Sequence, residues 1–483
     1  MSNSSSEISY LLDKAVAGVR LTPAEGLQIL QSSDLTAIGA AANRVTERLH
    51  PEPFRTYNID RNINYTNACT AVCDFCAFYR NPGDHREGYL LPNAVIFKKI
   101  EETLAIGGTG VLMQGGHHPD LDIAYYEHLF RSIKERYRIH LHALSPPEVQ
   151  HIARRSKLSI PDTLSRLRDA GLDSIPGGGG EILVDRVRQV ISPKKTKSAE
   201  WLNVMRYAHQ SGMSTTATMM YGHVETLAER VEHMRRIRDL QDETRGFRAF
   251  ISWTFQPDNT ELGKTVNETP TSFEYLLVQA ISRLYFDNIP HIQSSWVTQG
   301  MKIGQVALHF GADDLGSIML EENVVSSAGT TYRATSEDFC RVTNTNQTQV
   351  KAAANYPLPF FGLEASATYQ NNPGIPIVAT LVVPNSVIAP QIGRNLSDGA
   401  AGNRTVALMK PYTEFGDRVS QIDIRFGKRI NFGRGKLRGM FDIYNLFNAS
   451  TVLSQNNAYG ASWQTPNSIL GGRLFKFGVQ IEY

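Results

Sequence analysis

The sequence predicts an α/β barrel followed by an antiparallel all-β segment. Between residues 57 and 342, short strands alternate eight times with longer helices, a pattern typical of parallel strands with helical crossovers. After about residue 342 the helical periodicity ends, and several segments alternate strictly between apolar and polar residues. The charge changes at the same place. Residues 343–483 carry 13 Lys+Arg and 7 Asp+Glu, a net charge of +6, whereas the rest of the chain has a net charge of −4.

Residues 1–56 form a predicted helical segment that packs on the barrel. Apolar residues recur at helical spacing from residue 8 to 49, and Thr22-Pro23-Ala24-Glu25 is typical of a helix start, with Thr22 as the N-cap. This segment therefore precedes the alternating strands and helices.

Residues 57–342 form the predicted barrel domain. Its strands are expected at residues 59–65, 110–114, 139–143, 172–175, 214–220, 248–254, 291–296 and 315–320, with helices such as 125–136, 199–210, 227–239 and 271–286 between them. A closed or nearly closed (β/α)8 barrel fits best, with its site on the loops that follow the strands. A doubly wound open sheet is the competing architecture, and periodicity alone does not separate the two.

Residues 343–483 form the predicted β segment. In residues 475–483 every odd position is apolar and every even position is polar or Gly, and residues 419–426 and 436–444 behave similarly. This alternation predicts antiparallel strands with one polar and one apolar face.

Composition and charge narrow the classes of partner. Hydrophobic residues make up 41% and charged residues 20% of the 483, as in folded proteins with a sizeable core. The net charge of +2 favours neither nucleic acid nor an anionic membrane. No apolar run is long enough for a membrane-spanning helix, and the first 20 residues lack the pattern of a secretory signal. We therefore expect a cytoplasmic location and no functional membrane insertion.

Three of the four cysteines lie in one segment, Cys69-Thr-Ala-Val-Cys73-Asp-Phe-Cys76. On a loop after the first barrel strand, three thiolates at this spacing can bind one iron each of a [4Fe–4S] cluster and leave the fourth iron open. An open iron can bind S-adenosylmethionine (SAM) and break a carbon–sulfur bond, which gives a 5′-deoxyadenosyl radical. A structural zinc site is the alternative. It needs four ligands, usually in two pairs, but Cys340 stands alone and His85 is poorly spaced.

At this motif the chain resembles the radical SAM superfamily, which has the same spacing and an aromatic residue, here Phe75, before the last cysteine. The resemblance implies that a glycine turn after the next strand contacts the SAM amino group. Gln114-Gly115-Gly116 lies at that position, and an ordinary strand-to-helix turn is the alternative.

Several longer sequence segments resemble the cyclic dehypoxanthine futalosine synthase family, and the resemblance extends over about residues 9–342. They are YNIDRNINY (57–65), QGGHHPDL (114–121), HALSPPE (142–148), DSIPGGGGEIL (173–183), SWTFQPDNTEL (252–262), SWVTQGMKIGQV (295–306) and EENVV (321–325). The resemblance implies a radical cyclisation of dehypoxanthine futalosine in the futalosine route to menaquinone. It also implies an external electron donor such as flavodoxin or ferredoxin and no nucleic-acid partner. Aminofutalosine synthase and a deazaflavin-cofactor synthase are the neighbouring alternatives.

Polar residues on the loops after the strands are the candidates for holding the nucleoside-derived substrate or SAM. We expect Glu181 to contribute to the cofactor site, with a first-turn helix charge as the alternative reading. The adjacent His117-His118 is read as a loop pair with one ring bonded to the backbone, and a second metal is the alternative. The expected substrate-binding residues are His142, Ser145, Glu148, Gln256, Asn259, Glu322 and Asn323.

Residues 344–483 resemble the end of a TonB-dependent outer-membrane receptor. The resemblance rests on QIDIRFGK (421–428), FDIYNLFN (441–448) and a terminal alternating strand that ends at Tyr483. A fragment of about six strands does not close a large barrel. We therefore interpret this part as foreign, so that the chain is chimeric. A natural small β-domain, or a transport protein with an incidental N-terminal part, are the alternatives.

Overall fold

The structure is a computed structural model that describes every residue except 1, 267, 335–347, 393–401, 410–413, 434 and 483. The chain divides into two compact units, Met1–Cys340 and Arg341–Tyr483. The domain boundary predicted at 342/343, the lone Cys340 and the terminal Tyr483 lie outside the described residues.

Three helices precede the barrel, where the sequence pattern indicated one helical region. They are α1 (Ser2–Val16), α2 (Pro23–Leu30) and α3 (Leu35–Leu49). The predicted start of α2 is confirmed, because the Thr22 hydroxyl accepts the Glu25 N–H at 3.3 Å and the Glu25 carboxylate accepts the Thr22 N–H at 2.7 Å.

Within the described part of the first unit, nine strand segments form one parallel sheet in the order β1-β9-β8-β7-β6-β5-β4-β3-β2. They are β1 (Thr56–Asn58), β2 (Asp60–Ile63), β3 (Gly110–Met113), β4 (His140–Ala143), β5 (Ser174–Ile175), β6 (Ser214–Tyr221), β7 (Phe247–Thr254), β8 (His291–Gln293) and β9 (Asp314–Ser317). Segments β1 and β2 are the two halves of the first strand. Because β1 pairs with β9 and β2 pairs with β3, the sheet nearly closes. This confirms the eight-stranded barrel and excludes the open doubly wound sheet.

Helices surround the sheet and cover its apolar outer surface. The helices are α4 (Asn93–Ala105), α5 (Ile123–Arg136), α6 (Pro146–Ser156), α7 (Ile160–Asp169), α8 (Asp185–Ile191), α9 (Ser198–Gln210), α10 (Leu227–Thr244), α11 (Ser272–Tyr285), α12 (Trp296–Gln299), α13 (Met301–Ala307) and α14 (Val324–Ser327), with a 3-10 turn at Leu262–Lys264. The predicted helices at 125–136, 199–210, 227–239 and 271–286 correspond to α5, α9, α10 and α11. Phe130, Trp201 and Phe250 are among the fully buried side chains of this core.

The second unit is antiparallel, as predicted. Its larger sheet has the order β10-β11-β14-β15-β18, and two strand pairs, β12–β13 and β16–β17, lie outside it. The elements are β10 (Val350–Pro357), β11 (Leu363–Asn372), β12 (Thr380–Pro384), α15 (Asn385–Ile392), β13 (Asn403–Ala407), β14 (Val419–Phe432), β15 (Gly435–Tyr444), β16 (Val452–Gln455), β17 (Pro466–Ile469) and β18 (Leu474–Glu482). Apolar side chains on one face of β18 are exposed, including Phe477 at 80% and Val479 at 68%.

Among the described residues, no helix combines the length and the apolar character needed to cross a membrane.

Candidate active site

The three clustered cysteines lie on the loop between β2 and α4. Cys73 is buried, and Cys69 and Cys76 are partly buried. The loop is fastened at several points: the Cys69 N–H donates to the Arg80 carbonyl at 3.0 Å, and the Cys76 N–H donates to the Cys73 carbonyl at 3.1 Å. Val72, between the cysteines, has a φ of +46°, which β-branched residues rarely adopt. The loop therefore folds tightly and keeps its thiols on one short stretch of backbone.

The loop offers three cysteine thiols as the donors of the site, and thiolates are the ligands that iron–sulfur clusters use. Burial raises the pKa of the Cys73 thiol to about 12, so a bound cation is needed to hold it as a thiolate at neutral pH. The donor set fits an iron–sulfur cluster.

The glycine turn after β3 lies directly against the cysteine loop. A Cβ atom on Gly116 would lie 2.3 Å from the Ala68 carbonyl oxygen and 2.9 Å from the Cys69 Cβ, so only glycine fits without a shift of the backbone. The His117 N–H donates to the Cys69 Sγ at 3.3 Å. The turn therefore brings its backbone amides next to the first thiol.

Glu148, a predicted substrate-binding residue, hydrogen-bonds to this turn and does not line the cavity at the carboxyl ends of the barrel strands. Its carboxylate accepts hydrogen bonds from the Gly115 N–H at 2.9 Å, the Tyr65 hydroxyl at 2.8 Å and the Ser145 hydroxyl at 2.6 Å. Ser145 is the N-cap of α6 and likewise does not line the cavity. Burial raises the pKa of Glu148 to about 7, although the three donors oppose this shift.

Glu181 lines the cavity and takes part in a buried ionic cluster. Its carboxylate lies 2.9 Å from the Lys195 ammonium and 3.4 Å from the Arg188 guanidinium. The Lys195 ammonium also lies 5.0 Å from the centre of the Phe75 ring, so it links the cysteine loop to Glu181. The alternative reading of Glu181 as a first-turn charge is wrong, because α8 begins only at Asp185. Sequence reasoning missed Lys195 and Arg188, which belong to no recognisable motif.

A cavity of about 350 Å³ occupies the barrel at the carboxyl ends of the strands. Of the predicted residues, Gln114, Glu181, His142 and Glu322 line it. Apolar surfaces come from residues such as Trp253, Leu315 and Met319. Further polar lining residues that sequence reasoning missed are Asn58, Asp60, Asn62, Gln293 and Ser317. The polar residues at alternating positions of the first strand, Asp60 and Asn62, were a signal for this inward face.

Three further predicted contacts, Gln256, Asn259 and Asn323, are absent from the lining of this cavity. Gln256 and Asn259 are bonded within the loops: the Gln256 amide donates to the Thr254 carbonyl at 3.2 Å, and the Asn259 amide donates to the Ser327 carbonyl at 3.0 Å. The Asn323 amide donates to the Glu321 carboxylate at 2.9 Å.

Glu322 lines the cavity, but its carboxylate is occupied by the start of α14. It accepts the backbone N–H groups of Val324, Val325 and Ser326 at 2.7–2.8 Å. Its position fits the prediction, but its hydrogen bonds are those of a helix cap.

For the adjacent pair His117-His118, the predicted bond between one ring and the backbone is confirmed. The His118 Nδ1 accepts the Asp120 N–H at 3.2 Å, so this ring is bonded to the backbone. The His117 ring stacks on His151 at 5.1 Å, and the two adjacent histidines form no metal-binding group among the described residues.

A nearly closed parallel barrel, whose first strand leads into a three-cysteine loop against a glycine turn, defines a radical SAM enzyme. Comparison with known proteins agrees: residues 63–237 match the Radical SAM superfamily, and residues 244–352 match the CofH/MqnC C-terminal region. The crystal structure of HydG, a maturase of the [FeFe]-hydrogenase, has the same fold, with a TM-score of 0.55 and 14% identity over 68% of this chain and 72% of that one.

Two curated relatives identify the family to which this radical SAM enzyme belongs. The chain is 50% identical over 327 residues to the cyclic dehypoxanthine futalosine synthase of Halalkalibacterium halodurans, which is 68% of this chain and 88% of the relative. It is 48% identical to the enzyme of the same name from Streptomyces coelicolor, over 68% of this chain and 82% of the relative. The chain belongs to the cyclic dehypoxanthine futalosine synthase family. The cofactors of this enzyme are a [4Fe–4S] cluster and SAM.

Proposed function

We propose that this enzyme converts dehypoxanthine futalosine to cyclic dehypoxanthine futalosine, a step of the futalosine route to menaquinone. The observation that carries the proposal is the position of the cavity. It lies at the carboxyl ends of the strands, where Glu181 and Gln114 connect its wall to the cysteine loop and the glycine turn. In a barrel of this class the reacting centre belongs at this face.

In this proposal Cys69, Cys73 and Cys76 hold the [4Fe–4S] cluster, and the backbone of Gly115 and Gly116 holds the amino group of SAM. When bound, the two cofactors together would supply a 5′-deoxyadenosyl radical, a reagent for hydrogen-atom abstraction from the ribose-derived carbon of the substrate. Lys195 and Glu181 are buried and paired, so they fix the wall between cofactor and substrate.

The cavity offers the two kinds of surface that the substrate needs. Neutral polar groups such as Asn62, Gln293 and Ser317 suit the hydroxyl groups of the sugar. The apolar side chains of Trp253 and Met319 suit the benzoate ring, which the substrate radical attacks. The wall of the cavity also keeps water away from the radical, which limits side reactions.

The redox partner in this proposal is a one-electron donor such as flavodoxin or ferredoxin. We place the reaction in the cytoplasm, where thiols are kept reduced and can bind iron. The second unit takes no part in the reaction. This is supported by the family match, which includes only residues 343–352 of this segment and none beyond, and by alignments to relatives that cover 68% of the chain. We propose that residues 343–483 are foreign to the enzyme.

The test is anaerobic reconstitution with iron and sulfide, then incubation with SAM, a reductant and dehypoxanthine futalosine, with products read by mass spectrometry. Equal amounts of 5′-deoxyadenosine and cyclised product are expected. The Cys76→Ala variant should form neither. Turnover of the substrates of aminofutalosine synthase or of a deazaflavin-cofactor synthase, without turnover of dehypoxanthine futalosine, would replace the proposal by one of those reactions.

A further inference from the structure

A second cavity, of about 310 Å³, opens at the opposite end of the barrel, where the strands begin. We call it the lower cavity, and we call the cavity at the carboxyl ends of the strands the upper cavity. The lower cavity is lined by residues at the start of the strands, among them Gly110, His140, Ser174 and Arg248. The two cavities share four lining residues inside the barrel, namely Asn58, Asp60, His142 and Thr216. The residues shared by the two cavities are all polar, and His142 lies where the cavities meet.

A chain of three hydrogen-bonding side chains leads from this meeting point to the lower end of the barrel. Side chains of a strand alternate between its faces, so His140 and His142 point to the same side of β4. The register of the parallel pair sets Ser174 of β5 opposite His142. As a result the Ser174 hydroxyl lies 2.7 Å from the His142 Nδ1 and 2.7 Å from the His140 Nε2.

The lower end of this chain reaches solvent next to a carboxylate. The His140 side chain is 55% exposed, and its Nδ1 lies 3.8 Å from the Asp173 carboxylate. Asp173 also pairs with the Lys134 ammonium. The other charged groups that border the relay are Asp60 and Arg248, which line the lower cavity. A proton that arrives at His140 therefore meets both a negative charge and water.

We propose that His142 accepts the proton that the substrate loses on cyclisation, and that Ser174 and His140 conduct it to solvent at the far end of the barrel. This inference rests on the proposed function. After the substrate radical bonds to a carbon of the benzoate ring, that carbon still carries its hydrogen. Its C–H bond then breaks: the proton goes to the His142 Nε2, and the electron leaves to a one-electron acceptor of the iron–sulfur or flavin class. The ring thereby regains its aromaticity.

After this series of proton transfers, no additional charge remains inside the barrel. As Nε2 of His142 takes up the proton, Nδ1 releases its own to the Ser174 oxygen, and the Ser174 proton moves to Nε2 of His140. Burial lowers the pKa of His142 to about 3, so this ring is neutral at rest and passes a proton on readily. The oxidised ring intermediate is a much stronger acid, so a weak base suffices.

Asp60 is the competing acceptor, because it lies in the lumen and burial raises its pKa to about 6. It hydrogen-bonds to the Ser317 hydroxyl. Asp60 lines both cavities, but its hydrogen-bond partner Ser317 lines only the upper one, whereas Ser174 gives His142 a continuous path to the lower end. The hydrogen bonds to Ser174 therefore favour His142, and variants of Ser174 and Asp60 separate the two groups.

The decisive variant is Ser174→Ala, because Ser174 does not line the upper cavity where the substrate would bind. In the reconstituted enzyme we expect 5′-deoxyadenosine at the wild-type rate and an unchanged substrate KM. The cyclised product per 5′-deoxyadenosine should fall about tenfold, as for the loss of a general base pathway. Ser174→Thr should restore the ratio because it keeps the hydroxyl. Ser252→Ala removes a buried strand serine outside the relay and should behave as wild type. An unchanged ratio in Ser174→Ala, or uncoupling only in Asp60→Asn, overturns the relay.

A second measurement needs no cofactor. In the cofactor-free protein labelled with 15N in histidine, Ser174→Ala should shift the imidazole nitrogen signals of both His140 and His142, whereas Ser252→Ala should shift neither. Unchanged signals in Ser174→Ala would show that the hydroxyl does not link the two rings. A wild-type enzyme that forms no cyclised product would refute the proposed function, and the nitrogen spectra would still decide whether the relay exists.

Discussion

The Gly115 backbone N–H donates a hydrogen bond of 2.9 Å to the Glu148 carboxylate. This contact joins the glycine turn beside the cysteine loop to helix α6, on the far side of the turn. Because the carboxylate is buried and bonds directly to the partly buried turn, the charge of Glu148 affects how firmly the turn is held. Glu148 is thus a structural support for the cofactor site.

The first prediction concerns the pH dependence of stability. The folded-state pKa of Glu148 is raised to about 7, compared with about 4.3 in an unfolded chain. Its contribution to the free energy of unfolding is therefore complete below pH 4 and is lost as the pH rises through 7, by roughly 4 kcal/mol. Glu148→Gln stays neutral, so its thermal midpoint relative to wild type should rise between pH 5 and pH 8.

Glu229→Gln is the control with the opposite sign. Arg186 lowers the pKa of Glu229 to about 2, so this carboxylate stabilises the fold above pH 4 and loses that contribution as the pH falls through 2. The midpoint of Glu229→Gln relative to wild type should fall between pH 3 and pH 5. A midpoint difference for Glu148→Gln that does not change with pH would mean that Glu148 is charged in the folded protein at all these pH values.

The second prediction concerns the buried ion pair of Lys195 and Glu181. Their side chains are 13% and 4% exposed, so Lys195→Met leaves a carboxylate in the interior with only Arg188 beside it. We expect a loss of about 2–3 kcal/mol in the free energy of unfolding, measured by denaturant titration with tryptophan fluorescence. The matched control is Lys264→Met. Its partner Glu261 and Lys264 itself are more than 60% exposed, so the loss should stay below about 0.5 kcal/mol. Equal losses in the two variants would contradict the prediction.

The sequence predicted the barrel well because each strand and helix carries its own pattern. Alternation of short apolar strands with amphipathic helices requires parallel strands, and a loop after a strand must lie at the carboxyl end of the sheet. For this reason the positions of Gln114, His142 and Glu181 around the cavity could be predicted without any coordinates. The split of the first strand at Ile59 could not, because it depends on pairing with both β9 and β3.

The predicted residues that do not line the cavity share a physical cause. A polar residue after a strand has two uses, to face the cavity or to cap the next helix, and sequence position does not separate them. Ser145-Pro146-Pro147-Glu148 has the spacing of a helix start, and both Ser145 and Glu148 act there. The roles of Lys195 and Ser174 depend on three-dimensional neighbours that are distant in the sequence, and no local pattern marks them.

The third prediction concerns the glycine turn and the metal. Because a Cβ at position 116 would lie 2.3 Å from the Ala68 carbonyl, Gly116→Ala must displace the cysteine loop. We expect the reconstituted variant to hold less than half of the wild-type iron and sulfide. Gly110→Ala, at the start of the same strand, has no neighbour closer than 3.7 Å and no positive φ, so its iron content should match wild type. Full iron content in Gly116→Ala would show that the conformation of the turn does not affect binding of the cluster.

The last prediction concerns the exposed apolar face of β18 in the second unit. Phe477 is 80% exposed and its ring lies 4.8 Å from that of Phe441 on β15, so aromatic surface faces solvent. Patches of this kind promote association. Phe477→Lys should therefore reduce self-association of the full chain, measured as the weight-average mass by light scattering at increasing concentration.

Gln480→Lys adds the same charge to the same strand on the opposite face, since side chains alternate along β18, and it should leave the association unchanged.

Limited proteolysis is a second, independent test of the second unit. If residues 343–483 are foreign and poorly packed, protease should remove them before it cuts the barrel. A chain that stays monomeric at high concentration and keeps these residues intact under protease would instead identify the second unit as an independently stable domain.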